Sequence, residues 1–586
     1  RLSIIDLETG MQPFYNETKT VISICNGEIY NFQELKNELA SKGHTFHSKS
    51  DCEVIPHAYE EWGAGLFGRL NGMFAIAIFE KKSGELILGR DHLGIKPLCY
   101  LFDESSGSFL FASNMKALLW AAKEDGIRLT VDPDSLCSYF HLCYIPSPGT
   151  FYKEISKLCP GTYLEYRKNR APKKTCYWDI SALSPSGGAS CSREALSGLI
   201  EKSVKSQLIS DVPVGVFLSG GIDSSLLSFY ASRHMPDIEA FNAGFREKEY
   251  DESPYARAAA DKLNIRLNSF TLDIDEALPD IEQIVREWGE PFGDSSVIPT
   301  WVISKRARER VKCILSGDGA DEILGGYETY QANRILRSLN FCGGNIALKA
   351  AKMAERLPGG FFDEFTLRGK LRRLLHGAAD KDALKAHFSW RYYFDEGQLK
   401  RLLPDLETEV EGYRARMIEK YFKPFEGFGG GDPDNKFMAF DTSFYLPNDM
   451  LFKIDSMSMA HSLEVRVPFL NPRLVEAALG IPSRMKFSLT RTKALLRDAC
   501  KKIYPHKICG RKKKGFTVPL AKWFKQDLGE RLSDLLSDTN NPAPFIDMGY
   551  VRSLLREHRS GQRNNGYKLW VVFVLVLWNK NITEKS

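Results

Sequence analysis

The sequence predicts two domains, an α+β unit followed by an α/β unit built on a doubly wound parallel sheet, and three observations carry the prediction. Short apolar segments broken by turn signals fill the first 120 or so residues. A polar stretch rich in proline, glycine and serine then runs from Tyr166 to Cys191. Beyond it, apolar strands alternate with helical patterns, which implies crossover units and a sheet covered on both faces. A chain of 586 residues is long enough for two or three such domains.

In chain order, "IYNFQELKNELASKG" and "CEVIPHAYEEWG" have helical spacing and a closing glycine. "MFAIAIFE" and "ELILGRD" flank "KKSG", and "PLCYLFD" and "SFLFAS" flank "ESSG", so each pair reads as an antiparallel hairpin. The polar stretch 166–191 is the linker expected from its composition, dividing 1–165 from 192–586. In the second part "GVFLS", "IEAFNAGF" and "VKCILS" read as strands, while "SPYARAAADKLN" and "IPTWVISKRARER" read as helices. From about Asn340 the pattern is mostly helical, with "FEGFGGGDPDN" expected as an exposed loop. The apolar run Leu569–Trp578 is about half the ~20 residues that span a bilayer, so it reads as a buried helix.

Composition excludes several classes. With 43% hydrophobic and 26% charged residues the chain is an ordinary globular one. A net charge of +5 is small for this length and gives no argument for nucleic acid. Twelve scattered cysteines without a C-x-x-C pair read as reduced core residues. With no secretory signal, the expected setting is cytoplasmic, with neither membrane nor nucleic-acid partners.

The chemistry begins at "LSGGIDSS", residues 218–225. A strand entering a helix through two glycines aims the first helical N–H groups into the bend, which makes an anion site. The bend lacks the lysine of a Walker loop and is not G-x-G-x-x-G. Ser219, Ser224 and Ser225 with Gly220 and Gly221 can surround a pyrophosphate, whereas Asp223 would repel it unless a divalent cation lies between them. A second strand-end loop, "SGDGADEILGGY" from Ser316 to Tyr327, offers Asp321 on the other side of such a cation. The pair predicts magnesium, in one crevice at the carboxyl ends of the strands.

"SGGIDSS" resembles the pyrophosphate loop of the ATP pyrophosphatase family, whose members cleave ATP between the α and β phosphates. With "SGDGADEILGGY" and "SMAHSLEVRVPFL" (Ser458 to Leu470) it resembles the synthetase domain of glutamine-hydrolysing asparagine synthetases. The resemblance implies ATP and Mg2+, with Leu218, Ala243, Ser316 and Gly317 lining the adenosine and Ser219, Gly220, Gly221, Asp223 and Ser224 holding the pyrophosphate. It implies metal ligation by Asp223 and Asp321, deprotonation of ammonia assisted by Asp318, and Lys513 of "RKKKGF" facing the tetrahedral intermediate. The family usually has a larger aliphatic residue at Ala243 and more often glutamate at Asp318. Three adjacent lysines also suit a solvated face, and Glu464 with Arg466 beside an apolar run reads as a structural ion pair or as a lining of the site, the role the resemblance favours.

"RLSIIDL", "NGEIYN", "SDCEV" and "GRDHLGIKPL" resemble the glutaminase domain of the same enzymes, an αββα fold with an N-terminal nucleophile. That likeness implies glutamine binding by Arg1, Leu2, Ser3, Ile4 and Ile5, an oxyanion hole at Asn26 and Gly27, and amine contacts from Glu28 and Asp51. The nucleophilic cysteine would precede Arg1, so the expectation is a longer chain, the sequence as written using free ammonia; Cys25 and Cys52 read as core.

The resemblance implies amidation of aspartate to asparagine through an aspartyl adenylate, with ammonia from glutamine, and leaves a homodimer open. Segment 341–405 is longer than compact relatives require and is reminiscent of relatives that amidate a surface-polysaccharide sugar acid, the alternative substrate class. An RNA-base-adenylating enzyme would need a basic face that is absent from the composition. A catalytically dead binding protein would have no use for the aspartates at 223 and 321.

Overall fold

The computed structural model describes residues 2, 4–183, 192–247, 250–272, 274–341, 386–388, 390–429, 432–511, 515, 518–538 and 543–583. Its N-terminal part is antiparallel. Strands β1 (Phe14–Tyr15), β2 (Val21–Ile29), β3 (Gly72–Glu80), β4 (Glu85–Arg90), β8 (Thr162–Arg167) and β9 (Lys173–Cys176) form one sheet in that order. A smaller sheet has β5 (Cys99–Asp103) between β6 (Ser108–Ala112) and β7 (Ile155–Lys157). Both expected hairpins are present, β3 with β4 and β5 with β6.

Alternation on β3 explains the layering. Phe74, Ile76 and Ile78 pack with Leu35, Leu39 and Ile55 of the helices Phe32–Ser41 and Val54–Trp62. The intervening Ala75 and Ala77 meet Leu98, Tyr100 and Leu164, where small side chains let the second layer approach. The stretch expected as a linker differs in its first part: Lys173–Cys176 is an edge strand on β8. Its polar residues suit a sheet rim with solvent on both faces, which is why composition alone suggests a loop. Residues 184–191 lie outside the described residues.

The second part holds a five-stranded parallel sheet in the order β12 (Leu267–Leu272), β11 (Glu239–Phe245), β10 (Val214–Phe217), β13 (Cys313–Leu315), β14 (Glu464–Arg466). Helices Ile222–His234, Ser253–Leu263 and Val297–Arg308 connect its strands. The C-terminal part is helical, and Leu569–Trp578 lies buried within helix Gly566–Thr583. Among the described residues no helix is long and apolar enough to cross a membrane. The glycine-rich excursion differs from the exposed loop expected, because Phe425 and Phe428 are buried in the main core. Of the described cysteines eight are buried, and all are free thiols.

Charged side chains bind the two parts together. Lys96 Nζ donates to Asp455 Oδ1 at 2.7 Å, Arg466 Nη2 lies 3.3 Å from Glu28 Oε2, and Lys157 pairs with Glu290. All six of these side chains are buried or nearly so.

Candidate functional site

Strand order creates the crevice. From β10 the chain moves to β11 and β12 on one side and returns to β13 on the other. The loops leaving β10 and β13 therefore flank the point where the winding reverses, the place where parallel sheets bind ligands. Leu218, Ser219, Gly221, Asp223, Ser224, Ala243, Ser316, Gly317, Asp318 and Asp321 all line one cavity there. Of the expected residues, Gly220 is set back from the cavity lining, and its role is backbone. Its φ is +72°, and a Cβ would lie 2.4 Å from the Tyr255 carbonyl carbon, so only glycine lets the helix Ser253–Leu263 close against the bend. Lys513 lies outside the described residues.

The bend is held by its own hydroxyls. Ser219 Oγ accepts from Gly221 N at 3.2 Å and lies 3.1 Å from Ser224 Oγ. Helix Ile222–His234 begins at Gly221, so its first amides are the anion-binding end of that helix. Across the cavity Ser316 Oγ donates to Asp318 Oδ2 at 2.6 Å. Gly317 is pressed close to the first loop, since a Cβ there would stand 3.2 Å from Asp223 Cβ.

Four cationic side chains, Lys453, Lys493, Arg497 and Arg511, also line this cavity, and of these only Arg511 falls in a quoted motif, "RKKKGF". The Lys493 ammonium sits between the two expected metal ligands, paired with Asp223 and 2.5 Å from Asp321 Oδ1. It reaches them beneath Gly326, where a Cβ would lie 1.7 Å from Asp321 Oδ1 and 2.3 Å from Lys493 Cε. Arg511 pairs with Glu252, and its guanidinium lies 4.3 Å from the Tyr255 ring centroid. Lys453 donates to Asp294 Oδ2 at 3.0 Å and to Ser296 Oγ at 2.8 Å. Burial would depress its ammonium, but the charges of Asp294, Asp449 and Asp318 outweigh that and hold its pKa above the usual lysine range. The one available signal for Lys453 is a lysine set among apolar neighbours in "MLFKI". Lys493 and Arg497 carry no such mark, whereas Arg511 opens "RKKKGF".

The expected glutamine-binding residues gather elsewhere. Asn26, Gly27 and Glu28 lie on β2, and Asp51 opens the short helical turn Asp51–Glu53 and accepts from Ile29 N at 2.7 Å. Gly27 has φ +145°, and a Cβ would overlap Met73 O at 1.9 Å, so the strand approaches its neighbour as only glycine allows. Asn26 donates to Ser113 Oγ at 3.1 Å and lines a second cavity that extends to Asp455 and Met459 of the other part. Burial, then the charges of Asp51 and Glu464, push the Glu28 carboxyl well above its usual range; burial also raises Asp51. Ile4 is buried, Leu2 and Ile5 are half-buried, and Arg1 and Ser3 lie outside the described residues. Cys25 and Cys52 are buried, as a core role requires.

Glu464 and Arg466 form the structural ion pair, not a lining of the nucleotide cavity. Arg466 Nε donates to Glu464 Oε1 at 2.8 Å, its Nη1 donates to the carbonyls of Gln207 and Ile209, and Nη2 faces Glu28. Its backbone carbonyl accepts from Ser316 N at 2.8 Å.

Comparison with known proteins agrees with this two-part arrangement. The family described as "Asparagine synthase" matches residues 195–580, and that described as "Glutamine amidotransferase domain" matches residues 1–178. "Asparagine synthetase [glutamine-hydrolyzing] 1" of Bacillus subtilis (strain 168) is 32% identical over 587 residues, covering 100% of this chain and 89% of that protein. "Asparagine synthetase [glutamine-hydrolyzing] 3" of the same organism is 29% identical, covering 90% of this chain and 81% of that protein. "Amidase chry2" of Gibberella zeae is 25% identical, covering 92% and 83%. With both family profiles matched in order and a 32% identical relative along its whole length, the chain belongs to the glutamine-hydrolysing asparagine synthetase family.

Proposed function

We propose that this protein amidates aspartate to asparagine, converting ATP to AMP and pyrophosphate and drawing its ammonia from glutamine. One observation carries the reading: the two strand-end loops, far apart in sequence, bring Asp223 and Asp321 to opposite sides of a single cation beside the anion-binding start of a helix. A carboxylate oxygen is a poor leaving group. Attack of the substrate carboxylate on the α-phosphorus expels pyrophosphate and forms an acyl adenylate. Ammonia then attacks the acyl carbon, and AMP departs.

Each step asks for stabilised charge, and the residues present can supply it. Ser219, Ser224 and the first amides of helix Ile222–His234 bind the departing pyrophosphate in this reading, since they form that helix's anion-binding start. Lys493 and Arg511 add positive charge at the same end. Leu218, Ala243, Ser316 and Gly317 form the wall assigned to adenosine. The Asp223 and Asp321 carboxylates converge on the Lys493 ammonium, a donor set that suits a hard divalent cation; these two carboxylates would hold Mg2+ with the Lys493 ammonium moved aside toward the phosphates, and the ion would neutralise charge there. Asp318, on the same cavity, accepts a proton from attacking ammonia in this reading. Lys453, held charged by Asp294, faces the same cavity and suits the substrate's carboxylate. Asn26 and Gly27 serve as the oxyanion hole of the glutaminase part, with Glu28 and Asp51 at the substrate amine.

The test is product analysis. Purified protein supplied with aspartate, ATP, Mg2+ and an ammonia source should form AMP, pyrophosphate and asparagine in equal amounts. ADP and orthophosphate would refute adenylation. Similarity over 92% of this chain also extends to a protein named as an amidase, so likeness to this family does not by itself fix the acceptor. Pyrophosphate release with another carboxylate, a sugar acid included, and not with aspartate would select a different acceptor class.

A further inference from the structure

Away from both cavities, three side chains from separate elements of the N-terminal part meet. Glu17 lies in the turn between β1 and β2, His44 just past helix Phe32–Ser41, and His57 within helix Val54–Trp62. His44 Nδ1 is 3.2 Å from Glu17 Oε1 and 3.5 Å from Oε2, while His57 Nδ1 is 3.2 Å from Oε2. One donor atom from each residue lies within 4.8 Å of the others. Ligands at ~2.0–2.1 Å around a tetrahedral zinc ion stand roughly 3.3–3.5 Å apart, so both His–Glu separations already fit, and the His44–His57 separation, within 4.8 Å, would close on metal binding.

The surroundings fix the donors. Thr45 N donates to Glu17 Oε1 at 2.8 Å, which sets the carboxylate. Glu61 Oε2 lies 3.9 Å from His44 Nε2, on the far side of the ring, where an outer carboxylate commonly supports a metal-bound imidazole. His57 is fully buried against Phe46, with ring centroids 4.7 Å apart, and its Nε2 has no hydrogen-bond partner among the described residues. The polar engagement of that ring is therefore directed at Glu17.

The geometry points to a divalent transition-metal site at Glu17, His44 and His57, of the borderline-soft kind that zinc fills, with solvent completing the coordination. Such an ion ties the β1–β2 turn and the loop after the first helix to the second helix. That helix follows directly on the turn carrying Asp51, so the clamp supports the glutamine side without touching it. The inference is independent of the synthetase reading.

The test uses chelator-treated whole protein near neutral pH, titrated with Co2+ alone and separately with Zn2+ alone. Expected are visible Co2+ bands of a nitrogen-ligated, low-coordinate ion saturating at one equivalent, and a rise in unfolding temperature with Zn2+. His44→Gln and Glu17→Gln should each abolish both signals, whereas Asp321→Asn should retain them, separating this site from the nucleotide cavity. Glu17→Gln keeps an acceptor for Thr45 N, so it tests ligation even if His44→Gln disturbs the fold. Absence of the bands in the parent protein, or their survival in Glu17→Gln, overturns the proposal and leaves a hydrogen-bonded cluster only.

Discussion

Substituting Gly326 by alanine should disable the nucleotide site while leaving the fold in place. The added Cβ would lie 1.7 Å from Asp321 Oδ1 and 2.3 Å from Lys493 Cε. Non-bonded carbon atoms settle at roughly 3.5–4.0 Å, so both side chains must retreat by an ångström or more, and with them the cation-binding pair. Gly326 lies outside the left-handed region, so alanine brings no backbone strain, and the atoms it displaces belong to side chains that can move. A displacement of about 1 Å in a reacting constellation costs about 10²-fold, or roughly 3 kcal/mol of barrier. The assay is the rate of pyrophosphate release set beside the unfolding midpoint. The expected result is a rate lowered about 10²-fold at an unchanged midpoint. A parental rate would refute the assignment of Asp321 and Lys493 to the reacting centre. The neighbouring Gly325→Ala is the contrast: φ is +71° and its Cβ would lie 2.8 Å from Phe487 Cδ1, so that variant should lose stability outright.

Lys493→Gln leaves Asp223 and Asp321 facing each other without their shared cation, and ATP affinity measured by calorimetry should fall at least about tenfold; unchanged affinity would remove Lys493 from the site. Arg466→Met strands the buried carboxylates Glu28 and Glu464, and urea unfolding should show a loss of about 3–5 kcal/mol, an effect near zero arguing against the ion-pair account. Burial pulls the His92 pKa from 6.5 down to about 4. Because folding suppresses its protonation, its stabilisation is fully present above pH 6.5 and is lost as the pH falls through the folded value, a swing of about 3 kcal/mol. His92→Leu should therefore flatten the fall in stability between neutral and acid pH relative to the parent, and parallel curves would contradict this.

Much of the architecture was legible because its signals are local. Alternation around "KKSG" and "ESSG" specified hairpins, and apolar strands ending in "SGGIDSS" and "SGDGAD" specified where a parallel sheet presents its ligand face. Both expected aspartates do converge. What stayed hidden depends on distant partners. Lys493 belongs to "TRTKALLRDAC", which reads as an ordinary amphipathic helix start, and only the fold carries it to Asp223, 270 positions away. Lys453 was faintly visible as a charge in an apolar run, but its counter-ion Asp294 comes from 159 positions earlier. The edge strand Lys173–Cys176 was missed for the opposite reason, since a strand with solvent on both faces has no apolar alternation to find.

The pairs Lys96–Asp455, Arg466–Glu28 and Lys157–Glu290 bear on how this polypeptide melts. Cutting the chain between its halves would leave these buried groups, the Lys96, Lys157 and Arg466 cations among them, without partners in places built to exclude water, a heavy electrostatic penalty for either fragment. Heat or denaturant should therefore take both halves apart in one concerted step, and a separately expressed glutaminase half should come out of the cell as aggregate.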